Sequence, residues 1–467
     1  MALGLDLTRA LLRQAEQRAC PEILGKTRIH VADSFGIALA ACASLPIASE
    51  SIAGVSAGGA TGECRVIGSD RRLPPALAAF ANGALIHAVD FDDIHDLARL
   101  HPSAVTVAAG LAAGDVVRAD WDAVVRAILV GNELMCRLGL MWKPGGVGPG
   151  ADWFLTQLFG YFGAAVTSGL VLGLSESALL SALGLAYMQA AGGKEPGFGV
   201  GATSRSIYPA FAAMGGVQAS LLARTGIVGP SSFLDGRANL FRLYFGQDAS
   251  VEQTDKLLND TAWAFEATDV KPWPSCRLSH PYVAAALEAR SRLGESRIER
   301  VRVSVNESAA RLSAPLSERR RPQTLQDAKY SIPFMTAFAL ARGRVDLTTL
   351  GSEAFKDESV LALAERIEIV QDLPDNPGHP PARIAVATST GSVVSDAVKI
   401  DLRMRPEAVR AKFLSCLDFA GAPVDPQALW TALTSADGPV AFPAVFSDGA
   451  TGQKPTEFKT RLTAPAE

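Results

Sequence analysis

Aromatic residues are scarce in this chain, neither sign of charge dominates, and the cysteines are few and scattered. Each shortage excludes something. Cys20, Cys42, Cys64, Cys136, Cys276 and Cys416 form no CxxC pair and no zinc spacing, so structural-zinc and dithiol classes fall away. They read instead as small apolar residues of a reducing compartment. Lys plus Arg is 44 against 48 for Asp plus Glu, and the net charge of −4 gives no reason to expect nucleic acid or an anionic membrane as partner. The longest apolar run, at 160–174, falls short of the roughly 20 residues that span a bilayer and reads as a core helix. The N-terminal stretch MALGLDLTRALLRQAEQRA is an amphipathic helix without the apolar core of a signal peptide, so a cytoplasmic location is expected.

What the chain has in abundance is alanine and glycine, with aromatics at only 7%, a composition suited to helices that pack closely through small side chains. At 467 residues the natural expectation is two domains. The 3.6-residue rhythm is clear at 122–140, 175–193 and 208–226, where helices apolar on most sides belong inside a bundle. After about 268 the pattern alternates. Segments 297–309, 365–372, 382–391 and 393–400 read as strands, the last two joined as a hairpin by a Gly-Ser turn. Helical patches lie at 331–344 and 358–367, and helix returns at 405–421 and 425–436. The predicted fold class is mainly α: a large helical domain (1–267, completed by 403–467) with an inserted smaller α+β lid domain (268–402). A cleft between two domains is a usual place for a small-molecule site.

One segment concentrates chemistry. HAVDFDDIHDLARLHPS, from His87 to Ser103, holds three of the six histidines and four aspartates. A metal site, an acid–base site and an ordinary polar helix end are all open readings. His87, Asp90 and Asp93 are three apart, which on a helix places neighbours on one face. There is no HExxH or other strong metal spacing. Pro102 ends one element, Ser103 is positioned to cap the next helix, and His101 is held at the junction, a favourable place for proton transfer.

This segment resembles the HAxDFDDT…HPS signature of the MmgE/PrpD family. The resemblance continues in order through GNELMCRLG (131–139), FGYFGAA (159–165), FAAMGGVQASLLARTGIVGP (211–230), KPWPSCRLSHP (271–281) and YSIPFMTAFALARGRV (330–345). Six motifs in order are specific for the family and much less so for the reaction. The resemblance implies a helical domain with an α+β lid and a homodimer. It implies no metal, no cofactor, and a small carboxylate substrate that loses or exchanges a proton at the carbon next to a carboxylate. The expected activity is a cofactor-independent lyase, most simply a dehydratase; an epimerase, a decarboxylase, or a carboxylate-binding protein that has lost catalysis are the alternatives. A metal-dependent hydrolase on the aspartate cluster is a further one.

By the same resemblance Asp90 and His101 fall on the family's active-site Asp and His, and Lys271 on the lysine that opens the lid segment. His101 is the expected general acid/base, because its ordinary pKa suits neutral pH; Asp90 would orient it or hold a substrate hydroxyl, and Lys271 would pair with a carboxylate or act as an acid. Asp93, Trp153, Arg205, Tyr208, Ser275, Cys276 and His280 are the expected substrate-binding set, with packing an equal alternative for Cys276 and helix capping one for His280. The departures from the family's pattern carry information. Phe154 replaces a histidine, Arg205 a lysine, Tyr208 a histidine and Ile94 a threonine. Arginine keeps the charge but will not give up a proton. A drier pocket implies a substrate with fewer carboxylates, or one bulkier and more apolar, than methylcitrate.

Overall fold

The computed structural model describes residues 3–16, 19–142, 150–293, 296–374, 381–396, 403–422 and 424–435. Its helices follow the sequence rhythm. The helices α1 (Pro21–Ser44), α2 (Pro75–Ala88), α3 (Pro102–Val117), α4 (Trp121–Met141), α5 (Leu155–Val171) and α6 (Tyr208–Arg224) pack on one another as a bundle. Proline sits in the first turn of α1, α2, α3 and α6, where its fixed φ fits and its missing N–H costs nothing. Helix α5 carries the apolar run and is buried. Among the described residues no single helix is long and apolar enough to cross a membrane; α1 and the short helix after it would pass such a test only as a pair bent by 96°.

Small residues set how closely the bundle packs. A Cβ added at Gly131 of α4 would lie 2.1 Å from Thr167 Oγ1 on α5, and one at Gly216 of α6 would lie 2.3 Å from the Ala164 Cβ, also on α5. The alanine and glycine content thus buys close backbone approach at the helix crossings.

A second core forms around α7 (His280–Leu293), α8 (Ile332–Arg342) and a four-stranded sheet. Ahead of these the chain makes a two-strand pair, β1 (Ile94–His95) against β2 (Thr268–Asp269), with Ile94 opposite Asp269. The sheet consists of β3 (Ile298–Val305), β4 (Ile367–Gln371), β5 (Arg383–Thr388) and β6 (Gly391–Asp396), in the order β4-β3-β5-β6. β3 runs parallel to β4 and antiparallel to β5. The second core draws its buried residues from Tyr282 to Val386. The first draws on Leu7 to Phe265, Leu347, and Phe413 to Leu433, because α9 (Pro406–Ala420) lies along α1.

Local expectations differ from the structure in four places. The overlap near 365 resolves into a helix ending at Ala364 and a strand starting at Ile367. The β5–β6 hairpin turns at Ser389-Thr390, and Gly391 already pairs with Thr388; the Gly-Ser pair belongs to the strand. Ser103 does not cap α3: His101 occupies the cap position, and Ser103 lies inside the first turn. His87, Asp90 and Asp93 do not share a helix face, since α2 stops at Ala88 and Asp90 adopts a left-handed φ of 53°. Segments 397–402 and 436–467, read respectively as strand end and tail, lie outside the described residues.

Gly216→Ala should therefore lower stability by about 1–3 kcal/mol through overpacking. Gly25→Ala, where nothing lies within 4 Å of the added carbon, should be neutral or stabilising by up to about 1 kcal/mol. Denaturation midpoints of the two variants check this, and equal midpoints would show that the α5–α6 contact relaxes freely.

Candidate active site

The turn between α2 and α3 is held in an unusual way. Three consecutive carbonyls, of Val89, Asp90 and Phe91, each accept a hydrogen bond from a buried lysine. Lys329 Nζ reaches Val89 O at 3.1 Å, Lys271 Nζ reaches Asp90 O at 3.1 Å, and Lys412 Nζ reaches Phe91 O at 2.6 Å. The lysines are 2%, 0% and 7% exposed and come from three distant parts of the chain. Lys271 also pairs with the Asp90 carboxylate, and Lys412 with Asp33 at 2.9 Å, over the face of the Phe91 ring. Burial pushes Asp33 up to about 6 even against the Lys412 ammonium, and it pushes Lys329 down to about 8. A peptide carbonyl is the negative end of a dipole, so three ammonium groups fix this turn and the left-handed Asp90 within it. The same loop is tied again by the β1–β2 pairing and by the two-pronged Arg277–Asp96 ion pair, at 2.9 and 2.8 Å.

The carboxylates that follow are arranged around histidine. His87 Nδ1 and Asp92 Oδ2 are hydrogen-bonded at 2.8 Å, and His101 Nδ1 lies 3.7 Å from the same oxygen. The closer partner of His101 Nδ1 is the Asp93 carbonyl at 2.6 Å. A carbonyl only accepts, so Nδ1 carries the proton and Nε2 is left as the basic nitrogen. Burial, aided by the Lys271 charge, lowers His101 to about 4, so the ring is neutral at neutral pH. Burial alone would raise Asp90 and Asp92; Lys271 and the imidazoles outweigh it and hold both below the usual carboxylate range. Both are therefore ionised. The Asp93 side chain faces the other way, accepting from the Ser103 backbone N–H and hydroxyl and bonding His30 Nδ1 at 2.8 Å. It caps α3 in the role expected of Ser103.

A cavity of about 210 Å³ opens in front of Asp90 and His101. Of the expected residues, Asp90, His101, Trp153, Arg205, Tyr208 and Cys276 line it, as do the substituted positions Ile94 and Phe154. Tyr208 stacks on Phe154 with ring centres 4.2 Å apart, and its hydroxyl lies 3.3 Å from Thr156 Oγ1. That same oxygen accepts from the His101 backbone N–H at 3.0 Å. The Arg205 guanidinium lies 3.4 Å over the Tyr330 ring and donates to the Gly197 carbonyl.

Four expected residues stand behind the wall. Lys271 is buried under Asp90, a position from which it sets charge; direct pairing with a substrate carboxylate is not what this geometry offers. Asp93 is spent on capping. Ser275 bonds Ser279, and His280 bonds the Ser275 carbonyl beside Trp273, with burial holding its ring neutral. The cavity also contains residues that sequence reasoning missed, chiefly Tyr330, Lys194 and Arg311. Tyr330 stood within a quoted motif, but its orientation depends on Arg205, far away in sequence. Burial keeps its phenol protonated.

Donor atoms of His87, Asp92 and His101 lie within 4.8 Å of one another, a grouping that could hold a metal ion. Nδ1 of His101 faces the Asp93 carbonyl and Nδ1 of His87 faces Asp92, which leaves Nε2 as the nitrogen each ring could offer a metal or a proton; His87 Nε2 is buried without a hydrogen-bond partner among the described residues.

Comparison with known proteins bears on this site. Residues 12–253 match the MmgE/PrpD N-terminal domain and residues 273–432 the MmgE/PrpD C-terminal domain. A cis-aconitate decarboxylase-like protein of Aspergillus oryzae is 30% identical over 72% of this chain and 73% of its own. A cis-aconitate decarboxylase of Aspergillus terreus is 28% identical over 50% of the chain, which spans about half of that relative's length. The cis-aconitate decarboxylase of Mus musculus is 26% identical over 66% of the chain and 63% of its own.

The buried clamp predicts a pattern of stabilities. Lys412→Met strands the Asp33 carboxylate and should cost about 3–5 kcal/mol, whereas Lys412→Met with Asp33→Leu should recover most of that loss. Chemical denaturation of both variants checks it; equal losses would mean that the Phe91 carbonyl bond, and not the stranded charge, sets the cost.

Proposed function

The chain belongs to the MmgE/PrpD family, and from that premise we propose that it is a cofactor-independent lyase acting on a small carboxylic acid, with His101 moving the proton at the carbon next to a carboxylate. A C–H in that position is a very weak acid, and its carbanion adds charge to an existing anion. The reaction needs a base that is unprotonated at working pH and cations near the growing charge. Neutral His101, with Nδ1–H anchored and Nε2 basic, supplies the first. Arg205, close to the reacting end through Cys276 and Tyr330, supplies the second. The Tyr330 hydroxyl is the donor best suited to protonate a leaving group, since Arg205 keeps its own proton.

One observation carries the choice of dehydration. Asp90 is ionised, lies on the cavity wall, and has an oxygen, Oδ2, that is buried without a hydrogen-bond partner. An unsatisfied buried carboxylate oxygen is costly unless a ligand donates to it, and a substrate hydroxyl is such a donor. A hydroxy acid held there would lose its α-proton to His101 and its hydroxyl, protonated by Tyr330, as water. Decarboxylation is the second reading, favoured by the names of the relatives and by the apolar Phe154 and Ile94, which weaken the hold on a departing carboxylate. In either case the second core, which brings Tyr330 and Cys276, closes the pocket as a lid.

Four measurements test this. His101→Asn should abolish solvent deuterium uptake at the substrate carbon together with turnover, and Tyr330→Phe should lower kcat by about 10²–10⁴-fold while exchange persists. Exchange retained by His101→Asn would remove His101 as the base. The pH profile gives a sign. Protonation removes the base, so kcat/KM should fall only as pH drops through about 4; an acid limb near the ordinary histidine value would overturn the assignment. Turnover should survive a chelator, and its loss would favour the metal reading. Release of CO2 in place of water, from a substrate without a hydroxyl, would select decarboxylation.

A further inference from the structure

His30 is a buried histidine that the reaction above does not use. It lies within α1, remote in sequence from the 87–103 segment, and its Nδ1 is hydrogen-bonded to Asp93 Oδ2 at 2.8 Å. Asp93 also takes the Ser103 backbone N–H on Oδ1, at 3.2 Å, and the Ser103 hydroxyl on Oδ2. An accepting carboxylate needs a donor, so His30 Nδ1 carries the proton. The His30 ring meets Phe265 edge-on, with ring centres 5.0 Å apart, and the Phe265 backbone N–H is bound in turn by Glu133 Oε2 at 2.9 Å. The other acids that act on His30 are Asp33, on its own helix and engaged by Lys412, and Asp269 on β2.

Asp93 also holds the proposed base. Its carbonyl accepts from His101 Nδ1 at 2.6 Å and so leaves Nε2 as the basic nitrogen. That carbonyl can turn only if its peptide turns. At one end of the peptide, the donors on the Asp93 carboxylate fix the direction in which the side chain leaves its Cα; at the other, Ile94 is held opposite Asp269 in the β1–β2 pair. The Ser103 donors belong to the same turn, whereas His30 ties Asp93 to a separate helix. A second acceptor stands close by: Asp92 Oδ2, bonded to His87, lies 3.7 Å from His101 Nδ1. A neutral carbonyl leaves the imidazole weakly basic, whereas a carboxylate partner favours the imidazolium. Which of the two acceptors takes the Nδ1 proton therefore decides whether His101 is a neutral base.

We propose that His30 is a positioning residue for the reaction: by donating to Asp93 it aims the Asp93 carbonyl at His101 Nδ1 and keeps that proton from passing to Asp92. The proposal rests on His101 being the base and adds a residue to that reading. It explains why a helix carries a buried histidine against an acid that is turned away from the cavity. It also states what removal does. The charged and titratable groups facing His101 are Lys271, Asp92, His87 and Asp90. With Nδ1–H shifted to the Asp92 carboxylate, the imidazolium gains, and protonation of the base moves up from about 4 toward the ordinary histidine value.

Nitrogen NMR of the full chain with labelled histidine reads the tautomer and titration of each ring without turnover, and kinetics are measured in parallel. In the native chain His30 and His101 should both carry Nδ1–H. His30→Leu should raise the titration of His101, and with it the acid limb of kcat/KM, by about one pH unit or more. It should lower kcat by about 10–10²-fold and leave KM nearly unchanged. His30→Asn, whose amide nitrogen takes the place of Nδ1, should restore most of kcat and the native limb. A native His101 protonated on Nε2, an unmoved His101 titration in His30→Leu, or a loss in His30→Asn as deep as in His30→Leu overturns the proposal. The native tautomers and the asparagine variant decide the question even where the leucine variant does not fold. If His101 is not the base, its titration still moves while turnover does not; an unmoved titration in an active enzyme refutes the positioning role alone.

Discussion

Everything at this site depends on keeping one turn of backbone in place. Asp90 sits at a φ that a residue with a Cβ disfavours by about 1–2 kcal/mol, and locally only one bond, from its N–H to the His87 carbonyl at 2.8 Å, is seen among the described residues. The compensation comes from Lys271, Lys329 and Lys412, whose ammonium groups meet three carbonyls in a row. Burying an ammonium is expensive unless it is paired and hydrogen-bonded. Lys271 and Lys412 each meet that condition with a carboxylate, and Lys329 meets it only in part, which is why burial lowers its pKa. The turn exists only when residues from the first core, the second core and the C-terminal helix are all in position.

The clamp also sets the electrostatics. The ammonium that holds the Asp90 backbone holds its carboxylate ionised, and the same charge depresses His101. Burial first and the Lys271 charge second keep the base neutral, and the same lysine keeps the neighbouring acceptor negative. Lys271 does this from behind the wall, so its importance does not require contact with a ligand.

The parts of this architecture that were legible in the sequence share a cause. Helices α4, α5, α6 and α8 were visible because burial on most sides leaves a strong apolar rhythm, and Asp90, His101 and Arg205 because they stand in local motifs. What could not be read depends on long-range placement. Lys329 and Lys412 look in sequence like ordinary helix lysines, and only their 240- and 321-residue separation from the turn, closed in space, makes them structural. Asp93 shows the converse. Its position in a dense acidic motif suggested a ligand contact, but the backbone reverses after Asp90 and turns it toward the start of α3, where the unsatisfied N–H groups compete for it. Spacing along a chain predicts a shared face only while the helix continues, and here it ends at Ala88.

The residue that exchanges chemistry most sharply with its surroundings is Arg205. Placed where the family pattern has lysine, it cannot serve as an acid, yet it lies flat over Tyr330 at 3.4 Å. A guanidinium stacked on a phenol favours the phenolate in principle, but burial and the Asp90 charge oppose that and keep the hydroxyl protonated. Under the proposed dehydration, proton donation then falls to Tyr330, a side chain of the second core. A pocket arranged in this way has its base and its acid on different bodies, and the proton pathway is complete only when the two cores meet. The stacked rings of Phe154 and Tyr208 form an apolar wall of that same cavity, and such a wall would hold water off the proposed transfer.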